Sequence, residues 1–336
     1  MILKNKYAIG VHIMFYEIEM YKDFIDGLIN LIEPIENKEN IYLHFCLNTT
    51  EYFEKIDTSK INQNDILDQF THGLSKLYDI GVMNITIDSK LNSDEIYNIA
   101  DYRRDFNHNY CKIADFLMWG ETDSFFPKQA FSVLETIKQY GEENNIHRYI
   151  LSFSDRKMWD DSWKSTEHIN YENIPFIDSP DQVDNENYAK SPLSIEKMNK
   201  INENVTDFDI RVIKEPKIDG SCLCISSDLI KCGVNIPHSL LCSGEDSSLG
   251  VIAKQLLGDK FIQFVVKNVL KVHARRHPNK RLYILNEKNP RGYCGKEKGE
   301  WWKILLDHSK SNLNKLLNSQ DKFYTFEDVF DKIKKS

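Results

Sequence analysis

Residues 116–126 read FLMWGETDSFF, an apolar run that stops on Glu121 and Asp123, with two phenylalanines and Pro127 after them. Buried strands ordinarily end in Gly, Asn or Pro turn chemistry, so two carboxylates one residue apart at a strand tip point to a site. Hard divalent ions such as Mg2+ or Mn2+ take carboxylate oxygens and keep positions open for a phosphate. The plainer alternative is a solvated strand end. A second acidic pair, Glu245 and Asp246, follows Gly244 at the start of a helix. Carboxylates there are favoured as anions by the helix dipole, which suits either capping or a base that stays ionised until it takes a proton. The third group is LKVHARRHPNKR at 270–281, with Lys271, Arg275, Arg276, Lys280 and Arg281 around His273 and His277. Such a run can hold a diphosphate through charge-assisted hydrogen bonds. Beside it, and with a remote acidic pair, His273 is a candidate metal ligand.

The elements that must position these groups alternate. YAIGVHIMF (7–15) reads as a buried strand, and YKDFIDGLINLIEPI (21–35) spaces Phe24, Leu28, Leu31 and Ile32 as a helix. Strands follow at 41–48 and 82–88, with a helix at 65–81 between them. A helix over 93–114, with Ser93 as a possible N-cap, leads into the strand that ends at the acidic tip. After a helix at 128–140 and a strand at 147–153 comes a polar excursion over 155–205, containing Pro175, Pro180 and Pro192. Strands resume at 207–213 and 221–226, then a helix at 243–258 and a strand from 261. Strand and helix repeated in this order make an α/β fold, a mostly parallel Rossmann-like sheet flanked by helices. Sites in such sheets lie at the carboxyl ends of the strands, where Glu121 and Asp123 fall. Asn48 and Asp88 also fall at strand ends.

The chain has 336 residues, 41% of them hydrophobic and 28% charged, enough for one large or two medium domains. A net charge of -8 speaks against a surface built for nucleic acid, the basic run near 275 apart. No apolar stretch reaches the length of a membrane span, and the N-terminus enters a strand rather than a cleavable signal, so a soluble, cytoplasmic protein is expected. Seven scattered cysteines make no CxxC pair, and reduced, mostly buried thiols are expected. Trp159 and Trp163 set flat apolar faces in the otherwise polar excursion.

Taken in order, the arginine-containing DYRRDFN (101–107), ADFLMWGETD (114–123), SCLCISSDLIKCGVNIP (221–237), GEDSSLG (244–250) and KVHARRH (271–277) resemble the A-type-fold (GT-A) glycosyltransferases, closest to the family 2-like, nucleotide-sugar-dependent enzymes. The resemblance covers residues 7–281. It implies that Asp123 is the metal-binding acid of a DxD-like motif, Glu121 its first acid, Asp246 the base in an acidic pair with Glu245, and His273 a further metal ligand. The first acid of the motif is ordinarily Asp, and the longer Glu121 shifts its reach toward the ribose or a metal-bound water. Arg103, Arg104 and Asn107 lie where the family places donor-contacting side chains, and Arg275 and Arg276 where the diphosphate would sit; Asn48 and Asp88 are candidates for base or ribose contacts, with capping of a turn as the alternative.

The implied cofactor is Mn2+ or Mg2+, with a nucleoside diphosphate sugar as donor and a glycan, lipid-linked glycan or protein as acceptor. Residues 1–285 would form the catalytic domain, with a nucleotide-sugar half over about 1–154 and an acceptor half over about 155–285. Residues 286–336 would form a C-terminal helical appendage. The alternatives are a metal-dependent nucleotidyl or phosphoryl transferase acting on nucleic acid, and a non-catalytic sugar-binding module.

Overall fold

A computed structural model describes residues 1–14, 17–48, 50–51, 54–55, 63–91, 97–158, 160–175, 193–241, 244–273 and 298–336. Its first half runs β1 (Tyr7–Met14), α1 (Ile18–Ile32), β2 (Ile41–Asn48), β3 (Thr50–Glu51), β4 (Glu54–Lys55), α2 (Gln63–Asp79), β5 (Asn84–Lys90), α3 (Ile99–Tyr110) and β6 (Phe116–Gly120). The second runs β7 (Ser124–Phe125), α4 (Ala130–Asn144), β8 (Tyr149–Ser154), α5 (Ile195–Asn202), β9 (Ile210–Ile213), β10 (Leu223–Ser226), α6 (Ser227–Lys231), α7 (Glu245–Leu257), β11 (Ile262–Leu270) and β12 (Val272–His273). Two helices, α8 (Lys298–Leu317) and α9 (Phe326–Lys335), close the chain.

Eight strands form one sheet in the order β5-β2-β1-β6-β10-β8-β11-β9. β5, β2, β1 and β6 are parallel neighbours, and β8 pairs parallel with β11. β10 runs against both β6 and β8, while β9 is an antiparallel edge on β11. The expected α/β fold with a mostly parallel sheet is therefore present. Every residue of β1 is buried, as a strand covered on both faces must be. One core lies between the sheet and α1, α2 and α4, including Phe24, Phe70 and Phe131. The other lies under α3, α6 and α7, including Phe106, Leu229 and Leu249.

Several boundaries differ from the expectation. α3 starts at Ile99, capped by Asn98, whose side chain accepts from the Asp101 backbone while Asp101 reciprocates. This capping box fixes the start five residues after Ser93, which lies outside the described residues. The third strand spans Asn84–Lys90, displaced two residues from the expected 82–88, and its side chains are mostly exposed because it is a sheet edge. The excursion contains a 3-10 turn at Asp161–Thr166 and helix α5, which packs Met198 against Phe125 and Leu270. Cys46, Cys111, Cys222 and Cys224 are buried free thiols and Cys232 is exposed; Cys242 and Cys294 lie outside the described residues.

The C-terminal helices dock through Leu305, Val329 and Ile333 on Leu241. Ser309 Oγ accepts from the Leu241 N–H at 3.1 Å, and Asn312 donates to the carbonyls of Ser239 and Tyr324. The segment that leads into α7 is thus held from behind. The expected boundary at 285/286 falls outside the described residues. No helix among the described residues is long and apolar enough to cross a membrane.

Candidate active site

The acidic tip is a turn. Past β6 the Ser124 N–H donates to the Glu121 carbonyl at 2.9 Å, and the Glu121 N–H donates to Ser124 Oγ at 3.2 Å. This local closure folds the chain back and presents the carboxylates of Glu121 and Asp123 together. β7 then pairs antiparallel with β12, which sets His273 opposite Ser124. Residues 150 apart in the chain become neighbours through two short strands. His273 Nε2 lies 3.4 Å from Glu121 Oε2 and 4.0 Å from Asp123 Oδ1. One ligand-capable atom from each of Glu121, Asp123 and His273 lies within 4.8 Å of the others. Two carboxylate oxygens and one imidazole nitrogen suit a borderline-hard divalent ion such as Mn2+, and Mg2+ less closely.

Behind His273 stands a carboxylate that sequence reasoning missed. Asp219 Oδ2 lies 3.4 Å from His273 Nδ1 and accepts from Lys271 Nζ at 2.6 Å. At 3.4 Å Asp219 faces that nitrogen as a charge without a hydrogen bond, and the other nitrogen is turned to Glu121 and Asp123. A carboxylate behind an imidazole in this way favours one ring orientation. Lys271 is buried, also faces Asp155 at 3.2 Å, and donates to the carbonyl and hydroxyl of Ser221. Asp155 and Asp219 raise its pKa against the opposing effect of burial. This corrects the expectation for Lys271. Its charge is enclosed by two acids and supports the site from behind, so it does not face a diphosphate. Only the DGS turn at 219–221 hinted at Asp219, and only the strand end at Ser154 hinted at Asp155.

Of the two adjacent arginines, Arg103 is the one that meets the acidic turn. Arg103 is 2% exposed and donates to Glu121 Oε1 and to Glu245 Oε1, each at 2.5 Å. A further bond runs to the Gly220 carbonyl at 3.2 Å, and its guanidinium lies 4.5 Å from the Trp119 ring centroid. Arg103 thereby ties the acidic turn to the N-terminus of α7. Arg104, one residue on, faces away and pairs with Asp101 at 2.5 Å. Asn107 is fully buried, accepts from Trp119 Nε1 at 2.9 Å and donates to Asn235 at 3.0 Å. It holds the Trp119 ring on which Arg103 lies.

Asp246 sits at the first turn of α7. Its carboxylate accepts from the Gly220 N–H at 3.0 Å and from the Ser247 N–H at 2.6 Å. Burial, reinforced by Glu245, pushes Asp246 up to about 7. Burial also raises Glu245, against the pull of Arg103. A carboxyl poised near 7 has the properties of a general base.

Asn48 is buried and donates to His12 at 3.0 Å and to the Tyr97 carbonyl. Burial lowers His12 to about 3, so it is a neutral partner. Asp88 pairs with His44 Nε2 at 3.1 Å and keeps an exposed carboxylate. Trp163 is half-buried with Lys217 Nζ 5.4 Å from its ring centroid. Arg275, Arg276, His277, Lys280, Arg281 and Trp159 lie outside the described residues.

No protein-family model matches the chain, and no curated protein matches it. Solved structures to which it is similar include the mannosyltransferase PcManGT from Pyrobaculum calidifontis in complex with GDP-Man and Mn2+, at TM-score 0.49 and 9% identity over 97% of this chain and 68% of that one. S. aureus TarS (residues 1-349) gives TM-score 0.43 and 10% identity, over 93% of this chain and 81% of that one. Glucosyl-3-phosphoglycerate synthase from Mycobacterium tuberculosis, in complex with Mg2+ and uridine-diphosphate, gives 0.40 and 12%, over 83% of this chain and 74% of that one. At these scores the likenesses carry no argument about chemistry, which rests on the residues of the site.

Proposed function

We propose that the chain is a metal-dependent glycosyltransferase that moves a sugar from a nucleoside diphosphate sugar to an acceptor hydroxyl, with inversion at the anomeric carbon. The observation that carries this reading is the junction of two half-sites through Arg103. On one side lies a Glu121, Asp123 and His273 ligand set; on the other, Glu245 and the raised carboxyl of Asp246.

Asp123, Glu121 and His273 would hold the divalent ion, Mn2+ being the better fit to the imidazole. When bound, that ion supplies Lewis-acid neutralisation of the charge that builds on a departing diphosphate. Asp219, fixed by Lys271, keeps His273 oriented. Asp246 accepts the proton of the attacking hydroxyl as the new glycosidic C–O bond forms and the bond to the diphosphate breaks, a contribution on the order of 10² to 10⁴ in rate. Its hydrogen bonds from Gly220 and Ser247 aim the carboxylate without consuming its capacity to take a proton. Inversion requires that Asp246 and the departing diphosphate flank opposite faces of the sugar. Glycan, lipid-linked glycan and protein hydroxyls all meet these requirements.

The test is product identity. Incubation with UDP-, GDP-, CDP- and TDP-sugars, Mn2+ and a mixed acceptor panel should release a nucleoside diphosphate. Release of pyrophosphate, or cleavage of added nucleic acid, would assign the same acids to nucleotidyl or phosphoryl transfer instead.

A further inference from the structure

A cleft of about 510 Å³ opens on the far edge of the sheet, between the 3-10 turn at 161–166 and strands β9 and β11. Its volume falls in the range of small-ligand sites. Among the described residues five cations line it, Lys164, Arg211, Lys214, Lys217 and Lys267, against two acids, Glu172 and Glu215. That excess stands out in a chain of net charge -8.

The cations divide by what they hold. Arg211 is paired with Asp209 at 2.6 Å. Lys267 faces Glu172 at 3.2 Å and donates to the carbonyls of Lys164, Ser165 and Glu167, so it staples the turn onto β11. Lys217 donates to Ser162 Oγ at 3.1 Å, and Lys164 lies 3.4 Å from Asn173 Oδ1. Lys164 and Lys214 have no carboxylate partner among the described residues, and Lys217 makes no ion pair there but acts through space on the exposed Asp160. A concave wall with surplus positive charge concentrates anions.

Both walls of the cleft lie within a few residues along the chain of groups that support the candidate active site. One wall continues from Lys217 through Ile218 to Asp219, the partner of His273. The other continues from Thr166 and Glu167, which bond through the backbone to Asp155, and Asp155 faces the same Lys271 that holds Asp219. We infer that this cleft is an acceptor subsite for an oxyanion, so that the sugar acceptor carries a phosphate or a carboxylate, with Lys164, Lys214 and Lys217 as its counter-charges. Trp163, at the same wall, offers an apolar face beside that charge. The inference rests on the transferase reading of the adjoining site.

The test is calorimetric titration of the full chain with glucose 6-phosphate, glucuronate and glucose. An anionic probe should bind at least tenfold more tightly than glucose, and the double variant Lys214→Glu/Lys217→Glu should weaken it at least tenfold. Glucose 6-phosphate ahead of glucuronate identifies a phosphorylated acceptor, and the reverse order a uronate. Equal binding of all three probes, or an unchanged affinity in the double variant, overturns the inference. Mn2+-dependent binding of nucleoside diphosphates is measured on the same proteins. If it persists while the anions fail, the subsite alone is wrong; if it is lacking in the unmodified chain, the transferase reading itself fails.

Discussion

Gly220 lies so close to Arg103 that a Cβ on the glycine would fall 2.2 Å from Arg103 Nη1. The guanidinium has no freedom to retreat, being clamped by Glu121 and Glu245 and laid on Trp119. The absent side chain at 220 is therefore what lets one arginine join the two half-sites. Gly220→Ala should break at least one of the Arg103 ion pairs and cost about 1–3 kcal/mol of stability, the usual penalty of overpacking. Urea denaturation measures it, and an unchanged midpoint would show that Arg103 can move aside.

Arg103→Met should be more damaging, because it leaves the buried Glu245 and the half-buried Glu121 without their cation. Removing one partner of a buried pair costs on the order of 3–5 kcal/mol. Arg103→Lys should recover only part of this, since a single ammonium cannot reproduce a fork that reaches two carboxylates. Chemical denaturation of the two variants should rank them Arg, Lys, Met in falling stability.

Asp219→Asn should weaken Mn2+ binding about 10–100-fold through loss of the orienting carboxylate behind His273. Lys271 keeps Asp155 as a partner, so the fold should survive. Manganese titration followed by water proton relaxation reads the effect, and an affinity equal to the unmodified chain would remove Asp219 from the site.

Much of this arrangement was legible in the chain. The strand ending at Glu121 and Asp123, the helix opening at Glu245 and the strand leading to His273 were each marked by apolar spacing and by the residues that interrupt it. What joined them was not. The pairing of β7 with β12 involves two residues on each side, too few for any periodicity to show. Asp219, Lys271 and Asp155 are acids and a base like many others in the sequence until the sheet brings them to one point. Arg103 and Arg104 are adjacent and chemically identical, and only the 100° step of the helix sends one to the site and the other to Asp101. The start of α3 was misplaced because Ser93 and Asn98 are both good caps, and only the reciprocal bond with Asp101 selects the second.

Transfer should depend on pH through Asp246. A base accepts a proton only when ionised, so nucleoside diphosphate release should rise as pH passes through about 7 and level off above it. Asp246→Asn should lose on the order of 10² to 10⁴ in rate, keep metal-dependent donor binding and show no such rise. Stability carries the opposite sign. Asp246 holds its proton more tightly folded than unfolded, so its contribution is present below the ordinary carboxylate range and is lost as pH rises toward 7. Thermal melts across pH 4 to about 8 in the unmodified chain and Asp246→Asn should converge at low pH and separate at high pH.

The most direct measurement is the melting temperature of the purified chain with UDP-, GDP-, CDP- and TDP-sugars, each with and without Mn2+. A ligand that binds only the folded state raises that temperature by mass action. One donor class should stabilise the chain only when Mn2+ is present, and Asp123→Ala should abolish the shift while leaving the unliganded melt close to that of the unmodified chain. A shift that ignores Mn2+, or that survives in Asp123→Ala, would contradict a metal-held diphosphate at Glu121, Asp123 and His273.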